Sequence, residues 1–292
     1  FIKRLYEVGV IVSYSSGTGG RYTFIPRNKQ TFLNAEYALA KTVVTMAYPL
    51  WKYDSYGYLL MPNPKKNFIF AGKALEVYYD VVKDVNSAID REVTTELVQM
   101  TMGNRKGLKS KIVRYFSYRQ AKKMIDKIIL WLEKRDKAKD TITLLGAPYI
   151  LYSAMEKLKS EGKSFDFGDR GGVANGGGWK GIKNITHQEY RNDIKKVLGI
   201  PGKFVLDVYS MVEGNGWMIH CPEGHYLHTP YAHYNPLVLD AEYKPVAYGE
   251  WGRFGFLDGI STSHPSFIVT GDEVKLLEHC PVCDRPGPVL EP

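Results

Sequence analysis

The spacing of apolar residues predicts alternating strands and helices in the first half of the chain. A short apolar run within 7–14 predicts a buried strand that leads directly into a loop of serine, threonine and glycine. Helical spacing follows over about 31–48 and about 74–90, and 67–70 is the best strand candidate between them. From 118 to 132 apolar residues recur at helical spacing with lysines on the other face, which predicts an amphipathic helix.

The pattern changes near residue 217. Before that point strand, turn and helix signals alternate, which is typical of an α/β core with largely parallel strands. After it, short β-rich segments are separated by proline and glycine, so we expect a core over 1–216 and a β-rich subdomain over 217–292 within the same domain. The signals are strands at 141–145, 164–167 and 203–209, helices at 149–160 and 187–198, and β-rich segments at 226–228, 237–239, 253–257 and 266–269.

Composition excludes several classes of protein. With 292 residues, 44% hydrophobic and 24% charged, the chain can bury a sizeable core, and its apolar stretches are far shorter than the about 20 residues that a membrane span needs. Three cysteines do not make a disulfide framework, which favours a reducing cytoplasm. The sequence begins at Phe1 without a methionine, so we expect an upstream segment and treat the chain as a fragment.

Positive charge is concentrated in one stretch. The net charge is +8, and residues 106–140 hold twelve lysines and arginines against four acids, which accounts for the whole excess. This stretch is either the solvated face of a surface helix or a docking face for an acidic partner.

The loop Ser15-Ser16-Gly17-Thr18-Gly19-Gly20 follows the first apolar run and carries small residues and hydroxyls. Glycine removes the Cβ barrier to close approach, so the N–H groups and hydroxyls of such a loop can surround phosphate oxygens. A turn without any ligand-binding role can have the same composition. The loop is not that of the P-loop ATPases, because no Gly-Lys-Ser/Thr ending follows.

Further motifs follow predicted strands. Gly176-Gly177-Gly178-Trp179-Lys180 comes after one strand-like segment, Tyr209-Ser210-Met211-Val212-Glu213 ends another, and Thr270-Gly271-Asp272 ends a third. Arg285 lies a little further on. Ligands of α/β sheets bind beyond the carboxyl ends of the strands, so these loops can converge on one crevice.

In order and spacing, these motifs resemble the adenylate-forming superfamily of acyl-CoA synthetases. More narrowly, 176–180, 209–213 and 263–270 resemble the LuxE-type acyl-protein synthetase family of bacterial luminescence systems, with phenylacetate-CoA ligases as near cousins. The resemblance runs from residue 8 to 290 and has least support between 50 and 140. It implies an α/β, adenylate-forming-enzyme-like domain with parallel-rich sheets and a β-rich subdomain, without the full C-terminal lid domain.

The resemblance implies a role for each motif residue. Glu213 would hold Mg²⁺, Asp272 would bind the ribose hydroxyls, and Arg285 would contact ribose or phosphate. A carboxylate suits the hard Mg²⁺ ion, and a second carboxylate can accept both ribose hydroxyl protons. The plain alternatives are a buried or capping Glu213, a turn Asp272 and a surface Arg285. The ATP phosphates are assigned to Ser15, Ser16, Gly17, Thr18 and Gly19, and the adenine to Gly176, Gly177, Gly178 and Tyr209.

Lys180 has two interpretations. The superfamily usually has a mobile C-terminal domain with a catalytic lysine, and this chain stops at Pro292. Lys180 would replace that lysine at the phosphate or at the acyl carboxylate, or it is a surface lysine.

The cysteines form a second constellation. Cys221 opens a segment that contains His225 and His228, and the Cys280-Pro-Val-Cys283 knuckle follows about sixty residues later. Two cysteines two residues apart, with a distant cysteine and a nearby histidine, fit a closed tetrahedral zinc site. The resemblance favours His228, which occupies the position of a histidine common in related ligases, while His225 stays open. Buried thiols beside unrelated histidines are the alternative.

These motifs imply an ATP- and Mg²⁺-dependent enzyme in which a carboxylic acid attacks the α-phosphate, acyl-AMP forms, and the acyl group passes to a thiol. The acceptor is a protein thiol if the LuxE-type resemblance holds, and coenzyme A if the phenylacetate-CoA ligase resemblance holds. A basic zinc-containing nucleic-acid-binding protein is the alternative from another class, but it leaves the tyrosine and carboxylate motifs unexplained. A relative that binds nucleotide without turnover is a further alternative.

Overall fold

A mixed sheet of eleven strands organises the chain in the computed structural model. The strand order is β10-β11-β12-β13-β9-β8-β7-β6-β5-β3-β4, and a separate hairpin pairs β1 with β2. The strands β4, β3, β5, β6 and β7 run parallel, and antiparallel pairing begins where β7 meets β8. The structure describes residues 2–14, 23–47, 54–67, 73–93, 108–179, 185–230 and 232–291.

The bounds of the elements are as follows. The strands are β1 Val10–Tyr14, β2 Phe24–Asn28, β3 Tyr56–Pro62, β4 Asp84–Ile89, β5 Ile142–Gly146, β6 Gly171–Gly176, β7 Val205–Tyr209, β8 Met218–His220, β9 Leu227–His228, β10 Tyr234–Leu239, β11 Trp251–Asp258, β12 Phe267–Leu277 and β13 Val289–Leu290. The α-helices are α1 Ile2–Glu7, α2 Lys29–Ala47, α3 Leu108–Lys137, α4 Pro148–Ser160 and α5 His187–Leu198. Short 3₁₀ turns lie at Pro64–Lys66, Leu75–Asp80, Gly168–Arg170 and Gly202–Phe204.

Predictions for the long amphipathic helices are confirmed. Helices α2, α4 and α5 match the predicted segments within two residues at both ends, and α3 contains the predicted helix 118–132 but extends from Leu108 to Lys137. Helix α5 shows why: Thr186 and Glu189 form a capping box at its start, and Gly199 ends it at φ 71°. The predicted β-rich segments after residue 217 also fall on strands β9 to β12.

Two predictions in the α/β half are wrong. The segment expected to be a helix over 74–90 is a 3₁₀ turn followed by β4, whose β-branched residues pair in parallel with β3. The segment 164–167 is extended but belongs to no strand, because its N–H groups bond to the last carbonyls of α5. The strand is instead the glycine-rich β6, where a Cβ on Gly171 would meet Ile200 at 2.5 Å.

Two predictions near the amino end need adjustment. The first strand begins at Val10 rather than at residue 7, because α1 extends to Glu7 and Val8 is 74% exposed. Asn67 is not in a strand, and residues 68–70 of that candidate lie outside the described residues. The strand of this region is β3, within a stretch expected to be mostly loop.

Helices α3, α4 and α5 cover one face of the parallel sheet. Their core residues are fully buried, as Ile128, Leu151 and Ile194 illustrate, and they pack in one cluster with Leu144 of β5. Burial of a leucine or isoleucine side chain contributes about 1.5–3 kcal/mol, so this layer fixes the sheet. Among the described helices, none has both the length and the apolar character needed to cross a bilayer.

The β1–β2 hairpin packs against the far end of the parallel sheet. Ile11 of β1 and Phe32 of α2 share a buried cluster with Val212 and Trp217, which lie between β7 and β8. The hairpin therefore contacts the turn that follows β7.

A half-buried carboxyl on α2 makes stability depend on pH. Burial, with a smaller contribution from Glu76, raises the pKa of Glu36 to about 7, and Lys73 opposes the shift. The folded state therefore holds this proton more tightly than the unfolded chain does. Stability from Glu36 is fully present below about pH 4.5 and is lost as the pH rises through 7.

We expect Glu36→Gln to be more stable than the wild type at pH 8 by about 1 kcal/mol, a value reduced for partial exposure. At pH 5 the difference should be much smaller. Urea unfolding at both pH values measures this, with exposed Glu242→Gln as the control. An equal effect of Glu36→Gln at the two pH values would contradict the assignment.

Candidate functional site

The site begins at the carboxyl ends of two neighbouring parallel strands. Gly176 ends β6 and pairs with Val208 of β7, so the residues that follow each strand lie side by side. Gly177 and Gly178 have φ of 84° and 63°, and a Cβ on either would meet no atom of the described residues within 4 Å. Among those residues, none covers the backbone at this point. Trp179 anchors the loop with its ring 5.2 Å from that of Tyr190.

Tyr209, the last residue of β7, reaches across to β12. Its hydroxyl donates a hydrogen bond of 2.5 Å to the Asp272 carboxylate, which is exposed. Burial, together with the neighbouring Asp272, raises the pKa of Tyr209 well above its usual range, so the hydroxyl keeps its proton. The two residues expected to converge from distant motifs are therefore in contact.

Asp272 lies inside β12 rather than at the end of a strand, which corrects the expectation for 270–272. The pairing of β11 and β12 shifts register between Arg253 and Gly255, so residues 270–272 face a single residue, Phe254. The Thr270 hydroxyl donates to the Phe254 carbonyl at 3.1 Å. A bulge of this kind breaks the ladder and re-aims side chains, and here it presents Asp272 to β7.

Glu213 lies in the turn between β7 and β8, and the peptides around it are held from two sides. The Arg27 guanidinium donates to the carbonyls of Val212 at 2.6 Å and Gly214 at 2.9 Å. His264 Nε2 lies 3.1 Å from the Glu213 carbonyl. The turn carrying this carboxylate is thus fixed by β2 and by the loop that precedes β12.

A buried polar network extends from the same arginine. Arg27 Nε donates to Asn215 Oδ1 at 2.7 Å, and Asn215 donates its N–H and Nδ2 to Asp258 Oδ2 at 2.7 and 2.8 Å. Arg27 is fully buried and Asp258 nearly so. Burial lowers the pKa of Arg27 to about 10, and Asp258 and Glu213 oppose the shift, so the guanidinium stays charged at neutral pH. No motif in the sequence marks these residues, and sequence reasoning missed them.

The loop before β12 is fastened to the start of α2. Thr31 Oγ1 lies 2.6 Å from Thr262 Oγ1, and the Ser263 hydroxyl donates to Thr31 Oγ1 at 3.1 Å. Asn28 N–H donates to Ser263 at 3.2 Å. The elements that carry Glu213 and Asp272 therefore share one anchor, the junction of β2 and α2.

The serine- and glycine-rich loop joins β1 to β2. Residues 15–22, with Ser15, Ser16, Gly17, Thr18 and Gly19, lie outside the described residues, and so does Lys180. The strands on both sides are described: Ser13 pairs with Ile25, and the rings of Tyr14 and Phe24 lie 6.1 Å apart.

The four cysteine and histidine residues chosen from the sequence meet at one point. The ligand atoms of Cys221, His228, Cys280 and Cys283 all lie within 4.8 Å of one another. Cys221 Sγ and Cys280 Sγ are 4.0 Å apart, and Cys283 Sγ is 3.3 Å from His228 Nε2. In a tetrahedral zinc site with bonds of about 2.3 Å to sulfur and about 2.0 Å to nitrogen, neighbouring ligand atoms are about 3.5–3.8 Å apart, so the residues fit.

The charges around this cluster suit a metal. Burial, with a smaller contribution from Arg285, lowers the pKa of His228 to about 4, so its imidazole is neutral and can coordinate. Burial raises the pKa of Cys280 to about 11, which a bound cation would reverse. His225 lies apart from the four ligands, with its ring 5.6 Å from that of His220.

Arg285 lies beside this cluster. Its Nη1 pairs with Glu223 Oε2 at 2.5 Å, and hydrogen bonding to Arg285 offsets the effect of burial and lowers the pKa of Cys283. The described contacts of Arg285 place it at the cysteine knuckle, while Tyr209, Asp272 and Glu213 form the group at the end of β7.

Comparison with solved structures identifies the fold. The crystal structure of 2-hydroxyisobutyryl-CoA ligase matches 97% of this chain and 56% of its own, with a TM-score of 0.64 at 15% identity. A long-chain-fatty-acid-CoA ligase from Archaeoglobus fulgidus matches 96% of this chain and 50% of its own, with a TM-score of 0.58 at 13% identity. The chain thus has the α/β fold of the adenylate-forming enzymes, as predicted.

Sequence comparison identifies the family. The long-chain-fatty-acid–luciferin-component ligase of Aliivibrio fischeri is 30% identical over 152 residues, which are 50% of this chain and 39% of that protein. The Vibrio harveyi ligase of the same name is 25% identical over 154 residues, 52% of this chain and 40% of its own. The match thus spans about two fifths of each relative. The family model "Acyl-protein synthetase, LuxE" matches residues 98–291, and the chain belongs to this family.

Proposed function

We propose that this chain activates a carboxylic acid: the carboxylate attacks the α-phosphate of ATP, pyrophosphate leaves, and an acyl-adenylate forms. The observation that carries the proposal is the contact between Tyr209 and Asp272, beside the open glycine backbone after β6 and next to the turn of Glu213. Family and fold support the same chemistry and give no support to a nucleic-acid-binding function. We propose that residues 1–216 and 217–292 act as one catalytic unit, since the eleven-stranded sheet spans both.

We assign the residues as follows. Asp272 accepts the ribose hydroxyl protons, and the hydrogen bond from Tyr209 orients its carboxylate. The tyrosine ring and the backbone of 176–178 border the adenine. Glu213 would hold Mg²⁺, which neutralises charge on the phosphates as pyrophosphate leaves. The loop residues Ser15, Ser16, Gly17, Thr18 and Gly19 would donate to the phosphates, while Lys180 and Arg285 would supply cations to phosphate, acyl carboxylate or ribose.

For the acid and the acceptor, the names of the relatives guide the proposal. Because the Aliivibrio fischeri and Vibrio harveyi proteins are long-chain-fatty-acid ligases, we propose a fatty acid as substrate. The family description favours a protein thiol as acceptor. Coenzyme A is the second candidate, because the solved 2-hydroxyisobutyryl-CoA ligase was crystallised with it.

We also propose that Cys221, His228, Cys280 and Cys283 hold a structural zinc ion. With four protein ligands the site would be closed, so the ion would serve the fold and take no part in the reaction. It would join β8 and β9 to the segment between β12 and β13. Since all three cysteines are free thiols in the structure, we place the protein in a reducing compartment, the cytoplasm.

The acyl acceptor has a candidate docking surface on α3. We define the lysine stripe as Lys123, Lys127, Leu130, Lys134 and Lys137, which are all exposed. Their spacing of four, three, four and three residues puts them on one helix face over about 21 Å. Leu130 is 63% exposed at the centre of the stripe.

The acids of α3 do not neutralise this stripe. Asp126 pairs with Lys157 of α4, and Glu133 pairs with Lys163 at 3.2 Å. The third acid, Asp136, lies 3.7 Å from Arg170 Nη2, so each acid of α3 has a cationic partner outside the stripe. A positive face with an apolar centre is complementary to an acidic helix that carries one apolar residue. We propose that this occupant is a segment of an acidic acyl-acceptor protein.

Acid-dependent exchange of labelled pyrophosphate into ATP tests adenylation. We expect exchange with long-chain acids, and a loss of about 100-fold in Glu213→Gln and in Asp272→Asn, because each removes a charge that holds magnesium or ribose. Glu273→Gln, next to Asp272 on β12, is the matched control and should exchange normally. Absence of exchange with every acid class, or full exchange in both variants, would overturn the proposal.

Metal analysis of the purified chain tests the zinc proposal. We expect one zinc per chain in the wild type and in His225→Ala, and loss of zinc with a lower melting temperature in Cys280→Ser and His228→Ala. Purification without stoichiometric metal, or normal zinc in Cys280→Ser, would contradict it.

Charge reversal tests the lysine stripe. We expect Lys127→Glu/Lys134→Glu to raise the KM for the acceptor protein about tenfold at low salt, while pyrophosphate exchange stays unchanged. The control is Lys195→Glu/Lys196→Glu, which reverses exposed lysines in the last turn of α5. Equal effects of the two double variants, or a rise confined to the KM for coenzyme A, would refute a protein-docking role.

A further inference from the structure

Arg27 lies where three parts of the candidate site meet. It belongs to β2, which leads away from the serine- and glycine-rich loop, and its guanidinium bonds to the turn of Glu213. Through Asn215 it also connects to Asp258, the last residue of β11. We propose that Arg27 is a positioning residue that holds the backbone on both sides of Glu213 and thereby orients the Glu213 carboxylate. This inference rests on the proposed function.

The geometry of the guanidinium supports a positioning role. One nitrogen, Nη2, bonds to the carbonyls on both sides of Glu213, and Nε bonds to the Asn215 side chain. A planar fork fixes the direction of every group that it binds. The carbonyls of Val212 and Gly214 are therefore held by one rigid group, and the backbone of Glu213 is fixed between them.

Strand β2 also connects to Asp272, the other carboxylate of the candidate site. Asp258 Oδ1 accepts from the Ile260 N–H at 3.2 Å, and the loop that follows is fastened to Asn28 and Thr31, directly after β2. That loop leads into β12, which carries Asp272. The end of β2 thus connects to the turn that carries Glu213 and to the loop that leads into β12 and Asp272.

A packing role alone does not account for an arginine here. Removal of a guanidinium from water costs several kcal/mol, and an apolar side chain of similar volume fills space without that cost. The bonds of Arg27 instead run across 185 to 188 residues of sequence to the segment that carries Glu213. The hydrogen bonds of Arg27 offset the desolvation cost of its guanidinium only while the segment that carries Glu213 stays in this position.

The test compares Arg27→Lys with Arg135→Lys, another buried arginine. Arg135 belongs to α3, bonds to Asp140 at 3.1 Å and stacks on Tyr56 of β3 with its guanidinium carbon 3.6 Å from the ring centroid. Lysine keeps the charge at either position and loses the fork. We expect Arg27→Lys to lower the kcat of pyrophosphate exchange about 10- to 100-fold and to raise the Mg²⁺ concentration for half-maximal exchange about tenfold. Arg135→Lys should lower the melting temperature without changing the Mg²⁺ dependence.

Hydrogen exchange of the nucleotide-free protein gives a second readout that needs no activity. Peptides covering 211–216 should exchange faster in Arg27→Lys than in the wild type, and at the wild-type rate in Arg135→Lys. If Arg27→Lys does not fold, Asp258→Asn serves instead, since it weakens the hold on Asn215 and should raise exchange in the same peptides. Wild-type exchange rates in both variants, or an unchanged Mg²⁺ dependence in a folded Arg27→Lys, would overturn the inference. If the wild type itself shows no pyrophosphate exchange, the proposed function fails, and the hydrogen-exchange comparison still decides the role of Arg27.

Discussion

A fully buried, charged guanidinium must find hydrogen-bond acceptors within the protein, and this requirement at Arg27 fixes the centre of the structure. The acceptors are two carbonyls and an amide in the turn after β7, and that amide is bonded in turn to the buried Asp258. Any movement of the hairpin away from the sheet would leave these groups unpaired, at a cost of about 1–3 kcal/mol each. The hairpin, the turn and the end of β11 are therefore held together.

Two glycines allow aromatic rings to pack closely against the opposite side of this turn. A Cβ on Gly216 would meet the ring of Tyr234 at 2.5 Å, and one on Gly214 would meet Phe256 at 3.0 Å. These two rings are stacked at 4.5 Å in the core of the β-rich subdomain. The turn of Glu213 is thus clamped between Arg27 and an aromatic pair, at the point where the sheet changes from parallel to antiparallel pairing. That change brings β12, with Asp272, to the end of β7.

Structural features were predicted most accurately from the sequence where a single local pattern determines the structure. Helix α5 has a capping box, an amphipathic face and a glycine stop, and its predicted bounds are confirmed. The cysteine spacing, together with the resemblance that favoured His228 over His225, likewise selected four residues whose ligand atoms lie together. Strand β6 was missed because its glycines are poor strand formers, and only close packing against Ile200 explains them. Strand β4 was missed because its apolar residues are spaced as in a helix, whereas in the structure this segment pairs with β3.

Contacts between residues that are distant in the sequence could not be predicted from local patterns. The bulge that turns Asp272 toward Tyr209 depends on a register shift against β11, and the network of Arg27 joins residues almost two hundred positions apart. Both features were invisible in the sequence, although the motif resemblance had paired Tyr209 with Asp272 in one site.

The most direct test is a crystal structure of the chain with a non-hydrolysable acyl-sulfamoyl adenosine, which mimics the acyl-adenylate. We expect the ribose hydroxyls to be hydrogen-bonded to Asp272 and the adenine to lie between Tyr209 and the backbone of 176–178. Arg27 should remain bonded to the carbonyls of Val212 and Gly214. An analogue bound elsewhere, or a ribose away from Asp272, would contradict it.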